Sequence, residues 1–137
     1  MVVTVQWSDV GRDLDLWDLS RGLYSYLTTD AAEILYIGEV DGTTVRGRWN
    51  RSGKEGFWGD LEERGIGEHV VLVGEVLLDA GSRLTREFLA DVESLLIKRI
   101  VPWGNIQSTR TRISRPGLRV RCEGDWPLQK REFLDIG

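Results

Sequence analysis

Residues 85–100 constrain the fold more than any other stretch of the chain. Phe88, Leu89, Val92, Leu95, Leu96 and Ile100 recur at spacings of three and four, so they line one face of a helix. Thr85 stands at its start as an N-cap, and Pro102 marks its stop. A helix that is apolar along one stripe needs a second layer to bury it. The rest of the chain offers strands. Residues 68–78 (EHVVLVGEVLL) give the strongest strand signal, and residues 2–7 are rich in β-branched side chains. Residues 22–28 (GLYSYLT) and 34–38 (ILYIG) flank a hairpin-length loop, and residues 118–122 (LRVRC) alternate like an exposed strand. Residues 43–51 can start a helix with Thr43 or Thr44 as N-cap, weakened at Gly47 by about 1 kcal/mol relative to alanine. Residues 52–67 read as a glycine- and charge-rich loop with a short helix near 61–64, and residues 13–18 fit no single element. This order predicts an α+β domain, a small antiparallel β-sheet flanked by α-helices.

A chain of 137 residues is one domain's worth, and no repeat or linker divides it. Its 41% hydrophobic and 29% charged residues exclude a disordered tail or a collagen-like fibre. No apolar run nears the roughly 18–20 residues that cross a bilayer, so no membrane association is expected. The N-terminus lacks the basic and apolar regions of a secretory signal. Cys122 is the only cysteine and His69 the only histidine, which excludes an intrachain disulfide and a Cys/His zinc site. A reducing, cytoplasmic setting is the expectation. The net charge of −4 is unevenly spread. Residues 1–42 hold eight acids against Arg12 and Arg21, whereas residues 94–122 hold no acid. Lys98, Arg99, Arg110, Arg112, Arg115, Arg119 and Arg121 fall in that acid-free stretch. Such a stripe is either a solvated face or a surface that tracks phosphates.

Three further groups carry chemistry. If Thr28 faces Ile34 across the hairpin loop, Tyr26 faces Tyr36 and Tyr24 faces Gly38. Alternation then puts all three tyrosines on one face of the sheet. Cross-strand packing explains any one of them taken alone. Arg46 and Arg48, two apart on a helix, point in nearly opposite directions, so at most one reaches a site shared with the hairpin. Glu93 lies at the margin of the apolar stripe. A carboxylate so near a core needs a partner, either an arginine or a hydrated divalent cation. Asn105 follows the turn Pro102-Trp103-Gly104.

In this order the residues resemble the GIY-YIG nuclease family. Gly22-Leu23-Tyr24 stands for the first motif, and Tyr36-Ile37-Gly38 matches the second literally. Arg46 lies ten residues after Tyr36, where the family's catalytic arginine is usual; Arg48 takes that place if the Asp41-Gly42 turn is longer. Glu93 opens the pattern E-x-x-x-I-x-x-x-x-P-x-x-N, with Ile97, Pro102 and Asn105 in position. The resemblance spans residues 22–105 of a single domain covering 1–137, and leaves 106–137 as a basic C-terminal extension. Two positions depart from the family. Asn50 stands where a histidine or tyrosine is common, and Glu39 where lysine or serine often follows the second motif.

The resemblance implies a metal-dependent endonuclease that hydrolyses phosphodiester bonds in DNA. Tyr24 or Tyr36 would take a proton from water, and Arg46, or Arg48, would stabilise the transition state. Glu93 would hold one Mg2+ or Mn2+ ion, and Asn105 would orient the site or touch phosphate. Arg110, Arg112, Arg115, Arg119 and Arg121 would follow the DNA backbone. The alternative is a nucleic-acid-binding module that keeps the fold with weakened catalysis. With no second domain to target it, specificity would come from the chain's own segments or from a partner protein.

Overall fold

The computed structural model describes residues 2–30, 33–49, 55–79, 82–108 and 117–135. Six strands form one sheet: β1 (Val2–Asp9), β2 (Arg21–Leu27), β3 (Ile34–Asp41), β4 (Val70–Leu77), β5 (Arg119–Gly124) and β6 (Glu132–Leu134). Their order is β3-β2-β4-β1-β5-β6. Helices α1 (Val45–Trp49) and α2 (Glu55–Glu63) lie between β3 and β4, and α3 (Arg86–Ile100) follows β4. Short 3-10 helices occupy Leu14–Asp18 and Trp103–Ser108. No described helix is long and apolar enough to cross a membrane.

The α+β class holds, but the sheet is mixed rather than antiparallel. β5 runs parallel to β1, while the β1–β4, β2–β3, β2–β4 and β5–β6 pairs are antiparallel. A parallel neighbour needs a long connection, and β1 and β5 are separated by most of the chain. The alternating residues of β5 mark a strand without fixing its direction. β6 was not anticipated, and α2 is longer than the short helix expected near residues 61–64 and starts earlier.

Two apolar layers enclose the sheet. On one face, Phe88, Leu89, Val92, Leu95 and Leu96 of α3 pack on Val3, Val5 and Trp7 of β1, Leu23 and Leu27 of β2, and Ile37 of β3. The periodicity that predicted α3 is thus the stripe it buries. Thr85 caps it as expected, its hydroxyl accepting from the Phe88 N–H at 3.0 Å. The helix ends at Val101 in the left-handed region (φ 52°), one residue before Pro102. On the opposite face, Tyr24, Tyr26, Val71 and Val73 are covered by Val45 of α1 and Leu61 of α2.

The β2–β3 register pairs Tyr24 with Gly38 and Tyr26 with Tyr36, as the alternation required. Thr28 does not face Ile34, however. A bulge between Tyr26 and Leu27 pairs Leu27 with Ile34, and the Thr28 N–H turns to the Glu33 carbonyl at 3.1 Å. The slip falls beyond the tyrosines and leaves their common face intact.

β3 is an edge strand, which normally leaves backbone groups unpaired. Asn105 closes one of these positions. Its Oδ1 accepts from the Ile37 N–H at 2.8 Å, and its Nδ2 donates to the Ile37 carbonyl at 2.9 Å. Asn105 is 2% exposed, so neither bond has water as a ready substitute. Asn105→Ala should therefore destabilise the fold by about 2–4 kcal/mol, read as a lowered urea midpoint with an unchanged m-value.

Candidate active site

The tyrosines meet where β2 crosses toward the β3 edge. A Cβ added to Gly38 would collide with the Tyr24 ring and hydroxyl, so Tyr24 lies directly over this glycine. Any larger residue at position 38 would push the phenol away. Tyr36 stacks beside it, with ring centroids 5.9 Å from Tyr24 and 5.7 Å from Tyr26. The Ser25 hydroxyl donates to the Tyr36 carbonyl at 2.9 Å and fixes the strand there. Burial raises the pKa of all three phenols. Tyr24 also donates a hydrogen bond to Tyr36, which raises Tyr24 further and favours ionisation of Tyr36. Of this pair, Tyr36 is the more ready to lose its proton.

The arginine brought to these tyrosines is Arg48, and the expectation for Arg46 is corrected. β3 continues to Asp41, and Gly42, at φ +90°, makes the turn into α1. The Thr44 hydroxyl accepts from the Gly47 N–H at 3.0 Å and starts the helix. Val45 is buried, which sets the helix phase. Arg48 and Trp49, three and four residues on, share its inner side. Arg46 points outward with a side chain 52% exposed, pairs with Asp18 at 3.4 Å and lies over the Trp17 ring at 5.7 Å. The charge of Arg48, by contrast, acts on Tyr24, Tyr26, Tyr36, Glu39 and Glu93. Its Nε is buried without a hydrogen-bond partner.

Glu93 reaches the same edge from α3. Burial pushes its carboxyl up to about 7, with the nearby Glu39 charge adding to the rise. Arg48 and a hydrogen bond from the Glu39 backbone oppose it. Glu39 itself is raised by burial and held back by Arg48. Its Oε2 is buried without a hydrogen-bond partner. The sequence marked Glu39 only as a departure, although strand alternation carries the signal. Ile37 and Glu39 share the face that α3 covers, and Glu93 lies on α3.

The remaining candidates fall elsewhere. Of the two roles open to Asn105, orientation fits, since its amide is spent on Ile37 and buried. Arg119 and Arg121 lie on β5, four strands from β3, or about 19 Å at the usual strand spacing. They share the one carboxylate of Glu132 on β6, at 3.1 and 3.6 Å, so their charge is met only in part. Arg110, Arg112, Arg115 and Asn50 lie outside the described residues. His69 stands apart from Glu93. Its Nε2 accepts the Trp49 indole N–H at 3.0 Å, its ring stacks on Trp58 at 4.5 Å, and burial lowers its pKa. That bonding leaves the ring proton on Nδ1. Among the described residues no three His, Cys, Asp or Glu side chains group as metal ligands.

The chain matches no protein-family model, no curated protein and no solved structure.

The raised carboxyl of Glu93 has a consequence for stability. With a folded-state value near 7 against an ordinary value of 4.5, the folded state holds between these two pH values a proton that the unfolded chain has released. Its stabilising contribution is complete below about pH 4.5 and is lost as the pH rises through 7. Glu93→Gln should therefore gain roughly 2 kcal/mol over the wild type at pH 8. The two proteins should nearly coincide at pH 4 when urea unfolding is compared at both values.

Proposed function

We propose that this chain is a metal-dependent endonuclease of the GIY-YIG type, hydrolysing phosphodiester bonds in DNA. The observation that carries the reading is the convergence of Tyr24, Tyr36, Arg48 and Glu93 on one strand edge. They come from four separate elements, and the charge of Arg48 acts on the other three. A packing cluster needs stacked rings, but it has no use for a half-buried carboxylate and an arginine with an orphaned Nε beside them.

Hydrolysis requires a water to attack phosphorus while the opposite oxygen leaves, with charge developing on both sides. Tyr36 is the better proton acceptor, because Tyr24 donates to its oxygen. An isolated tyrosine has a pKa near 10 and burial raises it, so a cation must lie close for the phenolate to form. Arg48 supplies one positive charge there and would also stabilise the phosphate in the transition state. Tyr24 holds and orients Tyr36, and Asn105 holds the strand between Tyr36 and Gly38.

The residues fit a hard divalent ion with a thin protein shell. The charge of Glu39 raises the cost of ionising Glu93, and Glu39 Oε2 is buried without a partner. Oxygen donors of this kind suit Mg2+ or Mn2+, which keep most of their waters. Glu93 would hold the ion, with Glu39 beside it. When bound, it neutralises phosphate charge and helps the leaving oxygen depart.

Plasmid nicking with Mg2+ or Mn2+ tests the reading. Cleavage should need the metal, fall about 100- to 1000-fold in Glu93→Ala and Arg48→Ala, and change by less than about tenfold in Arg46→Ala. At metal concentrations below saturation the rate should climb as the pH rises through 7, where metal-free Glu93 releases its proton. Metal-independent nicking, or full activity in both the Glu93 and Arg48 variants, would overturn the assignment. Salt-sensitive DNA binding without any cleavage would move it to the binding module.

A further inference from the structure

Where β3 turns into α1, the surface opens into a cavity of about 380 Å3 lined by Asp41, Gly42, Thr43, Gly47 and Arg48. One of its walls is Arg48, whose charge also acts on the tyrosines and Glu93 of the candidate active site. The corner is kept open by its glycines. Gly42 takes φ +90°, where side chains are disfavoured, and a Cβ added there would meet nothing within 4 Å.

Asp41 is the one acid in the wall, and its charge is already met. One oxygen lies 3.4 Å from Arg21 Nε and the other 3.3 Å from Arg86 Nε. These two guanidinium groups, Arg21 first, hold its carboxyl below the usual range. Its side chain is only 17% exposed, with the arginines outside it. Asp41 thus presents little free negative charge to the cavity. What remains is the Arg48 side chain, a threonine hydroxyl and the glycine backbone. This set suits a tetrahedral oxyanion, which offers several acceptor oxygens and one or two charges. The volume, about that of a dozen waters at ~30 Å3 each, leaves room for the group that carries the phosphate.

We propose that this β3–α1 corner is a phosphate-binding subsite. It would take a backbone phosphate adjacent to the one cleaved, and so set the path of the strand past Arg48. The proposal rests on the nuclease reading for the identity of its ligand, but not for the binding itself. Arg48 then serves both phosphates, and Thr43 contacts only the flanking one.

The test uses the full chain, labelled with 15N, in EDTA so that no cleavage occurs. Titration with inorganic phosphate, and separately with a short DNA duplex, should shift the Gly42, Thr43 and Gly47 amides saturably. Thr43→Asp puts a carboxylate in the cavity and should weaken both interactions by about tenfold or more. Thr43→Asn, of similar size and neutral, should bind within about twofold of wild type. If the aspartate variant fails to fold, Thr43→Glu carries the same charge one methylene further out, with the same loss expected. Absent or non-saturating shifts, or equal binding by the Asp and Asn variants, would overturn the subsite. Phosphate binding at the corner in a protein that never cleaves DNA would defeat the nuclease reading and leave the subsite standing. Cleavage without the amide shifts would do the reverse. Response to phosphate but not to duplex would remove DNA as the ligand and overturn the proposed strand path.

Discussion

The outer edge of β3 has to be satisfied without a neighbouring strand, and side chains do it. An edge strand presents alternate N–H and C=O groups outward. At Ile37 both groups are taken by the Asn105 amide, which imitates a strand neighbour over one residue. Two residues on, Glu93 accepts from the Glu39 backbone. The same row of outward groups is therefore closed by an amide at one position and a carboxylate at the next. A carboxylate used in this way arrives at the edge with one face toward backbone and the other toward Arg48. The tyrosines reach the edge from the opposite side of the sheet because Gly38 lets Tyr24 lie across the strand. Groups from both layers meet here, since the charge of Glu93 acts on Tyr36.

The charge balance at that edge is unusual for a structural cluster. Arg48 is one positive charge among two buried phenols, a half-buried one and two carboxylates. The resting site answers this by keeping protons. The phenols stay neutral, and Glu93 is only half ionised near pH 7. A site that stores protons because positive charge is short will release them when a cation arrives. Asp41 does not compete for Arg48, since Arg21 and Arg86 hold it from outside.

Much of this was legible in the sequence, and the failures have physical reasons. The stripe and cap of α3 survive because helix phase and burial agree there. The tyrosine face survives because the bulge lies beyond Tyr26. Spacing alone favoured Arg46, but the phase of a five-residue helix is set by what it buries, and Val45 turns Arg48 inward. The glycine-rich segment hides α2, whose Gly56 and Gly59 are poor helix formers. Packing of Phe57, Trp58 and Leu61 on the tyrosine layer overrides that preference. The arginine stripe was one line of sequence, yet on β5 its arginines face Glu132 from a strand that sequence did not reveal. Glu39 was visible as a residue but not as a neighbour of Glu93, since that contact joins an edge strand to a helix more than fifty positions away.

The far half of the sheet has a different character. Trp7 and Trp126 pack with ring centroids 5.3 Å apart, and the Asp125 N–H donates to the Trp7 carbonyl at 2.9 Å. The Asp125 carboxylate accepts from the Asp9 N–H at 2.9 Å and pairs with Arg12 at 3.1 Å. Arg119 and Arg121 add only exposed pairs with Glu132, worth little in stability and screened within about 10 Å of solution. This half therefore braces the sheet without casting much field over the surface. At the β3–α1 corner, by contrast, the guanidinium groups of Arg21 and Arg86 meet on Asp41, and Arg48 lines the same cavity. In a protein of net charge −4, an anion that docks there is held by local hydrogen-bonding geometry, against a weakly repulsive whole.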